Sequence, residues 1–484
     1  MTAVGFSFNS FYDIEFPVSI SNNPLDIYGD RSKIYSLGPD AEGRFVMNEG
    51  WGITSDGSMF RDAQRSLGMD LTPAPITAAS YGMYADFADN TGRVNLTGGA
   101  FGDYLFGGSG NDLLEGGKGI NWISGGAGVD TVSYEHGDDS VTVNLSRSEA
   151  SNLDATISES FSGIENVRGS DHDDTITGNS RNNVIEGGSG ADIISGGGGN
   201  DTASYAHSGA GVTIDLGDSI QFGSLGDGAG DRLSGIVNLL GSAFDDSLTG
   251  DGSDNTLNGN GGADALMGFG GDDRLVIGAT PSNIDGGEGT DLLFVQGSEE
   301  SGIIALSDAS VIDIEKTYVR NGTFLDMSAV GGDEDLTGSV IVSQSTVGHS
   351  ILIVGSQDAD RISGGKGSDG LAGGAGDDRI VAGSGDNSIF GGSGSDKLFG
   401  GIGIDTFVFE ADSGRDNVYR FTVGTDLIDV SDFVENRDDI TITDLNNGNV
   451  LVTFVGDTDP THKIIVHDVL AAALTDASFI IGGV

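Results

Sequence analysis

The chain from Gly355 to Val408 reads GSQDADRIS, GGKGSDGLA, GGAGDDRIV, AGSGDNSIF, GGSGSDKLF and GGIGIDTFV, which is one nine-residue unit written six times. Its pattern is G-G-x-G-x-D-x-U-x, where U is a large apolar residue. A short fixed period is typical of solenoids, in which each unit stacks on its neighbours. The x-U-x tripeptide predicts a very short strand with a single inward-facing apolar side chain.

The same unit recurs in three earlier blocks, separated by segments that lack the glycine pattern. These units begin at Gly98, Gly107, Gly116 and Gly125, at Gly169, Gly178, Gly187 and Gly196, and at Gly241, Gly250, Gly259, Gly268 and Gly286. A degenerate unit, Ile277–Asp285, interrupts the third block with Pro281 and no glycine pair. The repeats therefore organise most of the chain.

The conserved positions of the unit predict cation sites lined by oxygen atoms. Glycine lets the carbonyl groups of a tight turn face inward, and the sixth-position aspartate adds a carboxylate. Ca²⁺ takes about six to eight oxygen ligands, more than one turn supplies, so we expect each cation between stacked turns. The predicted carboxylate ligands are Asp103, Asp112, Asp130, Asp174, Asp192, Asp201, Asp246, Asp264, Asp273, Asp291, Asp360, Asp369, Asp378, Asp396 and Asp405. The predicted carbonyl ligands are Gly107, Gly110, Gly116, Gly119, Gly187, Gly190, Gly196, Gly199, Gly364, Gly367, Gly373, Gly376, Gly391, Gly394, Gly400 and Gly403.

The composition agrees with an elongated chain that binds hard cations. Of 484 residues, 83 are glycine, and 37% hydrophobic residues suit a thin core better than a thick globular one. The net charge of -52 opposes compaction unless cations are bound, and it argues against nucleic acid as a partner. The absence of cysteine excludes disulfides and thiolate metal sites, which leaves oxygen ligands.

These units resemble the repeats-in-toxin (RTX) nonapeptides of Gram-negative proteins secreted by the type I route, over residues 96–409. The resemblance implies an all-β fold, a right-handed parallel β-roll with two nonapeptides per coil and multiple Ca²⁺ ions between turns. Asparagine replaces the sixth-position carboxylate at Asn121, Asn183, Asn255 and Asn387. We expect weaker or absent calcium binding there and at the degenerate unit.

The segments between the blocks are themselves repeated. SYEHGDDSVTVNL after the first block matches SYAHSGAGVTIDL after the second, which makes Tyr134 equivalent to Tyr205 and His136 equivalent to His207. Alternating apolar residues predict β-rich rungs that continue the roll without metal. The two histidines could form a transition-metal pair, but a structural hydrogen bond is favoured because no third ligand accompanies either one.

The two ends of the chain lack the period and are predicted to form separate domains. Residues 1–95 are rich in aromatic side chains and are expected to cap the open end of the solenoid or to mediate assembly. Residues 410–484 are similar to the segment that closes the roll in serralysin-type and other RTX proteins, which implies a β-rich cap and an uncleaved secretion signal. Neither a cleavable amino-terminal signal nor a membrane span is expected.

The sequence predicts that the protein is not an enzyme. It has no H-E-x-x-H, G-x-S-x-G or Walker A motif, which argues against a zinc protease, a lipase elbow and a P-loop nucleotide site. The leading hypothesis is a secreted structural protein of a surface layer, matrix or adhesive, folded by calcium. An enzyme or binding protein acting on polysaccharide is the alternative. The expected partners are calcium, the type I secretion apparatus, and further copies of the chain or a cell-surface polysaccharide.

Overall fold

The computed structural model describes most of the chain beyond residue 84. Described are residues 84–87, 91–153, 155–218, 221, 226–297, 302–308, 310–320, 322–331, 340–343, 345–411, 413–457 and 459–482, together with six short strands before them. The predicted domain of residues 1–95 therefore lies largely outside the described residues. Two compact units are present, one of Met1–Ser208 with Asp218–Ile236 and one of Gly209–Gly217 with Val237–Val484.

The six early strands form three antiparallel pairs. They are Ser19–Ile20 with Ile27–Tyr28, Tyr35–Pro39 with Phe45–Glu49, and Trp51–Ile53 with Met59–Arg61. Among the described residues of the whole chain, no helix is both long enough and apolar enough to cross a membrane.

The first unit contains two sheets of short strands. One sheet has, in spatial order, Asn95–Thr97, Leu113–Glu115, Thr131–Ser133, Asn166–Arg168, Val184–Glu186 and Thr202–Ser204. The other has Tyr84–Asp86, Tyr104–Gly108, Gly119–Gly126, Ile157–Ser162, Glu149–Asn152, Val141–Asn144, Thr175–Thr177, Ile193–Ser195 and Arg232–Ser234. Glu149–Asn152 pairs antiparallel with both of its neighbours. The remaining pairings of these two sheets are parallel.

The second unit contains one long sheet and two shorter ones. The long sheet has Asn238–Leu240, Thr256–Asn258, Arg274–Ile277, Leu292–Val295, Lys316–Val319, Val340–Ser343, Arg361–Ser363, Arg379–Val381, Lys397–Phe399, Arg415–Tyr419, Lys463–Val466, Val450–Phe454 and Ile440–Asp444. The shorter sheets have Thr213–Asp215, Ser247–Thr249, Ala265–Met267, Asn283–Asp285 and Val311–Ile312, and then Ile303–Ser307, Phe324–Ala329, Leu352–Val354, Gly370–Ala375, Ser388–Ser393, Thr406–Val408, Leu427–Asp429 and Phe479–Ile480. Short 3-10 helices lie at Gly226–Gly228 in the first unit and at Arg437–Asp439, Ala471–Ala473 and Asp476–Ser478 in the second.

The strand register confirms a parallel β-roll with two nonapeptides per coil. Leu114 pairs with both Leu96 and Val132, and Ile380 pairs with both Ile362 and Leu398. Each step is two units long, so successive nonapeptides alternate between opposite sheets. The eighth-position side chains are buried throughout, as the pattern predicts, and they form the core. The degenerate unit keeps this role, because Ile284 is fully buried in a parallel strand.

Beyond the last nonapeptide the roll continues before the strands change direction. Arg415–Tyr419 and Leu427–Asp429 add parallel strands to the two sheets of the final coils. Val450–Phe454 then pairs antiparallel with Lys463–Val466 and with Ile440–Asp444. The carboxy-terminal segment is therefore β-rich in the described residues, while its likeness to the serralysin closing segment and its role in secretion stay predictions.

Candidate metal centre

The sixth-position side chains form columns inside the turns. In each column one carboxylate oxygen, Oδ1, accepts a hydrogen bond from the backbone N–H of the sixth-position residue one coil earlier. Asp174 N–H donates to Asp192 Oδ1 at 2.7 Å, and Asp378 N–H donates to Asp396 Oδ1 at 2.8 Å, each across 18 residues. These aspartates are almost completely shielded from solvent. The repeat spacing thus brings the predicted carboxylates of each block together, coil upon coil.

The second carboxylate oxygen is unpartnered in nine of these side chains and in Asp416, which continues a column beyond the last nonapeptide. Buried Oδ2 atoms without a hydrogen-bond donor belong to Asp112, Asp130, Asp192, Asp201, Asp264, Asp273, Asp291, Asp378, Asp396 and Asp416. A buried carboxylate oxygen without a donor or a cation is strongly unfavourable, and such groups are rare in folded proteins. The regular recurrence of these atoms indicates cation sites.

Glycine is required because the orphan oxygen and a carbonyl of the next coil converge on the same space. A Cβ atom at Gly373 would lie 2.0 Å from Asp378 Oδ2 and 2.3 Å from the carbonyl oxygen of Gly391. A Cβ atom at Gly268 would likewise lie 2.2 Å from Asp273 Oδ2 and 2.4 Å from a carbonyl oxygen. The result is an oxygen-lined space between coils, the donor set that Ca²⁺ prefers.

Burial changes the acid strength of these carboxyl groups. Desolvation, reinforced by neighbouring acids, raises the pKa of Asp192 to about 9, of Asp378 to about 8 and of Asp264 to about 7. Burial also raises the pKa values of Asp396 and Asp416, which interact with each other. Without a cation, Asp192, Asp378 and Asp416 favour the protonated form near neutral pH. A divalent cation would therefore displace protons as it binds.

A second class of predicted ligands already has hydrogen-bond donors on both oxygens. Asp174 Oδ2 accepts the N–H of Ser170 at 2.6 Å and its hydroxyl at 3.1 Å, and Ser356 bonds Asp360 in the same way. Ser242 donates its N–H to Asp246 Oδ2 and its hydroxyl to Asp246 Oδ1. The backbone amides of Gly99, Gly365 and Gly401 bond the Oδ2 atoms of Asp103, Asp369 and Asp405. Serine at the second position of the unit was the available sequence signal for three of these turns. Calcium binding by this second class stays a prediction.

Asparagine at the sixth position supplies its own donor. Asn183 Nδ2 donates to the carbonyl of Glu165 at 2.6 Å, and Asn255 Nδ2 donates to the carbonyl of Val237 at 2.8 Å. The side-chain amide is thus a hydrogen-bond donor where the aspartates offer only acceptor oxygens. This arrangement supports the expectation of weak or absent calcium at these turns.

The spacers replace the cation with a tyrosine hydroxyl. Tyr205 donates its hydroxyl hydrogen to Asp231 Oδ2 at 3.0 Å, while Asp231 Oδ1 accepts the Asp192 N–H at 2.9 Å. Tyr134 donates in the same way to Glu159 Oε2 at 2.5 Å. The alignment of the two spacers makes the tyrosines equivalent but does not reveal their acidic partners. Each acid lies three residues before the Ser-Gly-Ile of its spacer. The nonapeptide pattern does not include Asp416 either, although this residue extends a carboxylate column past residue 409.

Each spacer histidine is hydrogen-bonded to a glutamate, as favoured from the sequence. His136 Nδ1 lies 2.8 Å from Glu115 and His207 Nδ1 lies 2.9 Å from Glu186. A third potential ligand, Glu135, does lie near His136 and Glu115, with the ligand atoms all within 4.8 Å of one another, which corrects the expectation that no third ligand is present. The guanidinium of Arg168 is ion-paired with Glu135, so this acid already has a cationic partner.

Comparison with known proteins identifies the repeats. The model of the RTX calcium-binding nonapeptide repeat matches residues 95–123, 106–141, 168–203, 240–275, 352–380 and 372–407. Two similar solved structures are subunits of the Azotobacter vinelandii mannuronan C5-epimerase AlgE6. The R2 subunit is 25% identical over 27% of this chain and 91% of its own, with a TM-score of 0.23. The R3 subunit is 22% identical over 31% of this chain and 82% of its own, with a TM-score of 0.18. No curated protein sequence matches the chain.

Proposed function

The chain is an RTX calcium-binding repeat protein, and from this premise we propose that it is a secreted structural protein whose roll folds on binding calcium outside the cell. In this proposal the protein is a component of a surface layer, matrix or adhesive and does not act as an enzyme. The observation that carries the proposal is the column of buried, unpartnered Oδ2 atoms between coils. Such a column is unfavourable without cations and stable with them.

The residues of the chain prepare each site in a defined way. Oδ1 is fixed by the amide of the preceding coil, which leaves Oδ2 oriented towards the carbonyls of the next coil. When bound, calcium supplies the positive charge and the coordination that join adjacent coils. Because each site needs two coils, binding energy becomes folding energy.

The calcium affinity of the sites determines where the chain folds. Extracellular calcium modules typically bind with dissociation constants of about 10⁻⁴ to 10⁻³ M, so such sites stay empty inside a cell and fill outside. A chain of net charge -52 without calcium stays expanded by self-repulsion, which suits export in an unfolded state. The type I apparatus is therefore the proposed export route.

Sedimentation velocity of the full chain, first in EGTA and then at rising calcium up to millimolar concentration, tests this proposal. We expect a slow, expanded species that compacts as calcium is added and then grows into larger assemblies. A sedimentation coefficient unchanged by calcium would contradict calcium-dependent folding. Compaction that stops at a monomer would contradict a lattice or matrix role, and release of reducing ends from an acidic polysaccharide would favour the enzymatic alternative.

A further inference from the structure

Five cationic side chains lie on one surface of the long sheet in the second unit, and we call this surface the basic face. Arg361, Arg379 and Lys397 are direct neighbours on three successive parallel strands. Arg415 and Lys463 are neighbours on the next two strands. The strand residues alternate between buried and solvent-facing, and these five belong to the solvent-facing set.

The basic face has no acid to balance its charge. Beside the cations, the outward positions of the five strands hold Ser363, Val381, Phe399, Asn417 and Tyr419, and His467 follows. None of the five cations forms a salt bridge with a carboxylate of the described residues. Like charges directly opposite each other on neighbouring strands repel. This chain has 74 acids for only 22 Lys and Arg, so placing its scarce cations side by side points to an external anionic partner.

An aromatic ring on the neighbouring strand holds one of these cations, Arg379, in place. Phe399 stacks on Tyr419 at 4.5 Å between ring centroids, and Tyr419 stacks on His467 at 4.1 Å. The Arg379 guanidinium lies 4.1 Å from the centroid of Phe399. This cation–π contact restricts the guanidinium without neutralising its charge. Binding an anion there costs less side-chain entropy than at a free arginine.

The same arrangement occurs a second time in the long sheet. Arg274 lies 3.4 Å from the centroid of the Phe294 ring, which stacks at 4.7 Å on Tyr318, and Lys316 lies 4.6 Å from the Tyr318 ring. In both places the cation is the first residue of a strand and the aromatic residue is the third. Two occurrences on one sheet indicate a property of this surface, not an isolated contact.

We propose that the basic face binds a linear acidic polysaccharide, with sugar carboxylates paired to the row of Arg361, Arg379 and Lys397. Neighbouring strands are about 4.8 Å apart, so the row presents one cation per strand along a line, which suits a linear polymer with regularly spaced carboxylates. Arginine pairs with carboxylate through two parallel hydrogen bonds.

Nucleic acid fits the basic face less well. Single strands bind by stacking bases on open aromatic faces, and here the rings of Phe399, Tyr419 and His467 cover one another. A duplex also carries one charge per about 1.7 Å of its axis, which a chain of net charge -52 repels strongly. This inference goes beyond the proposed function, although it requires the roll to be folded.

The test measures binding of the calcium-loaded full chain to hyaluronan oligosaccharides, which stay soluble in calcium, by isothermal titration calorimetry. Neutral dextran, dextran sulfate and duplex DNA are the comparison ligands. The variant Arg361→Gln/Arg379→Gln/Lys397→Gln should bind about tenfold more weakly or worse, as expected for three partly exposed charge pairs. The matched control Lys118→Gln/Arg147→Gln/Arg181→Gln removes the same charge from exposed positions elsewhere and should bind like the parent.

Calcium-induced compaction is measured first for each variant, so that a folding defect is recognised separately from a binding defect. Compact parent protein that binds hyaluronan no better than dextran would overturn the inference. Equal losses of hyaluronan affinity in the two triple variants would show a general effect of charge, and this result would also overturn the inference. Tighter binding of DNA than of any polysaccharide would reassign the face to nucleic acid, and preference for dextran sulfate would reassign it from carboxylate to sulfate recognition.

Discussion

At the scale of single residues, the second carboxylate oxygen separates aspartates that need a cation from those that do not. Asp192 and Asp174 are neighbours in one column, and Asp174 donates its N–H to Asp192. Asp192 Oδ2 has no donor, whereas Asp174 Oδ2 is bonded by Ser170. The nonapeptide pattern gives these two side chains the same role, but their units differ at the second position, Ser170 against Gly188, and at the fourth, His172 against Gly190.

Replacing Asp192 by Asn is therefore expected to remove one bound calcium and to lower the stability of the calcium-loaded roll by about 1.5–3 kcal/mol, the range for contacts to charged groups. Asp174→Asn is the matched comparison: the nonapeptide pattern predicts the loss of an ion here as well, whereas the hydrogen bonds from Ser170 lead us to expect an unchanged number of bound ions. Equilibrium dialysis counts the ions, and urea unfolding in saturating calcium gives the free energy. Equal ion losses in the two variants would show that the hydrogen bonds of Ser170 do not decide occupancy, and complete unfolding of Asp192→Asn would contradict independent sites.

At the scale of elements, the spacer rungs complete the columns without metal. The Tyr205 hydroxyl satisfies Asp231 as a cation would, and both side chains are buried. Tyr205→Phe would leave Asp231 Oδ2 without a donor. We expect the free energy of unfolding in saturating calcium to fall by about 1–3 kcal/mol, the cost of an unsatisfied buried group.

The tyrosine prediction has two internal comparisons. Tyr134→Phe should cause a similar loss through Glu159, because the two spacers have the same arrangement. Tyr318→Phe keeps its stacked ring on Phe294 and should change stability little. Urea titrations of the three variants provide the measurement, and an unaffected Tyr205→Phe would mean that the hydroxyl does not replace a cation.

The coils could be predicted from sequence because each is specified locally. The glycine turns and the single apolar residue of x-U-x fix a three-residue strand, and the period of nine then fixes the register without any long-range information. The spacers lack this local code. Glu159 and Asp231 reach their columns only because neighbouring rungs place them there, 38 and 39 residues after Asn121 and Asp192. Long-range pairs of this kind cannot be read from a local pattern.

At the scale of the whole molecule, the charge of the chain has two separate parts. The negative charge of the acids keeps the unfolded chain expanded, while the column carboxylates become buried only as coils stack. Calcium acts on the column carboxylates, because a bound cation offsets the free-energy cost of burying them at each interface between coils. The cations of the basic face do not do this, because that face lies on the outside of the sheet.

The buried carboxylates make stability depend on pH in opposite directions with and without calcium. Unfolded aspartate titrates near pH 3.9, and burial raises the pKa values of Asp112, Asp231 and Asp273 to about 6 and of Asp192 to about 9. The folded metal-free chain therefore binds more protons than the unfolded chain between about pH 4 and 9, so its stability falls as pH rises through this window. In EGTA we expect circular dichroism to show more β-structure at pH 5 than at pH 8.

With calcium present, protons and cations compete for the same oxygens, so calcium affinity should rise from pH 5 to pH 8. Calorimetry in buffers of different ionisation enthalpy should detect protons released as calcium binds at pH 6, where the calcium-free roll with protonated columns is more stable than at pH 8. This release separates the column carboxylates from simple self-repulsion, because exposed acids with ordinary pKa values are already ionised at that pH. Calcium binding without proton release would show that the columns are not protonated beforehand, and the pH dependence in EGTA would then come from net charge alone.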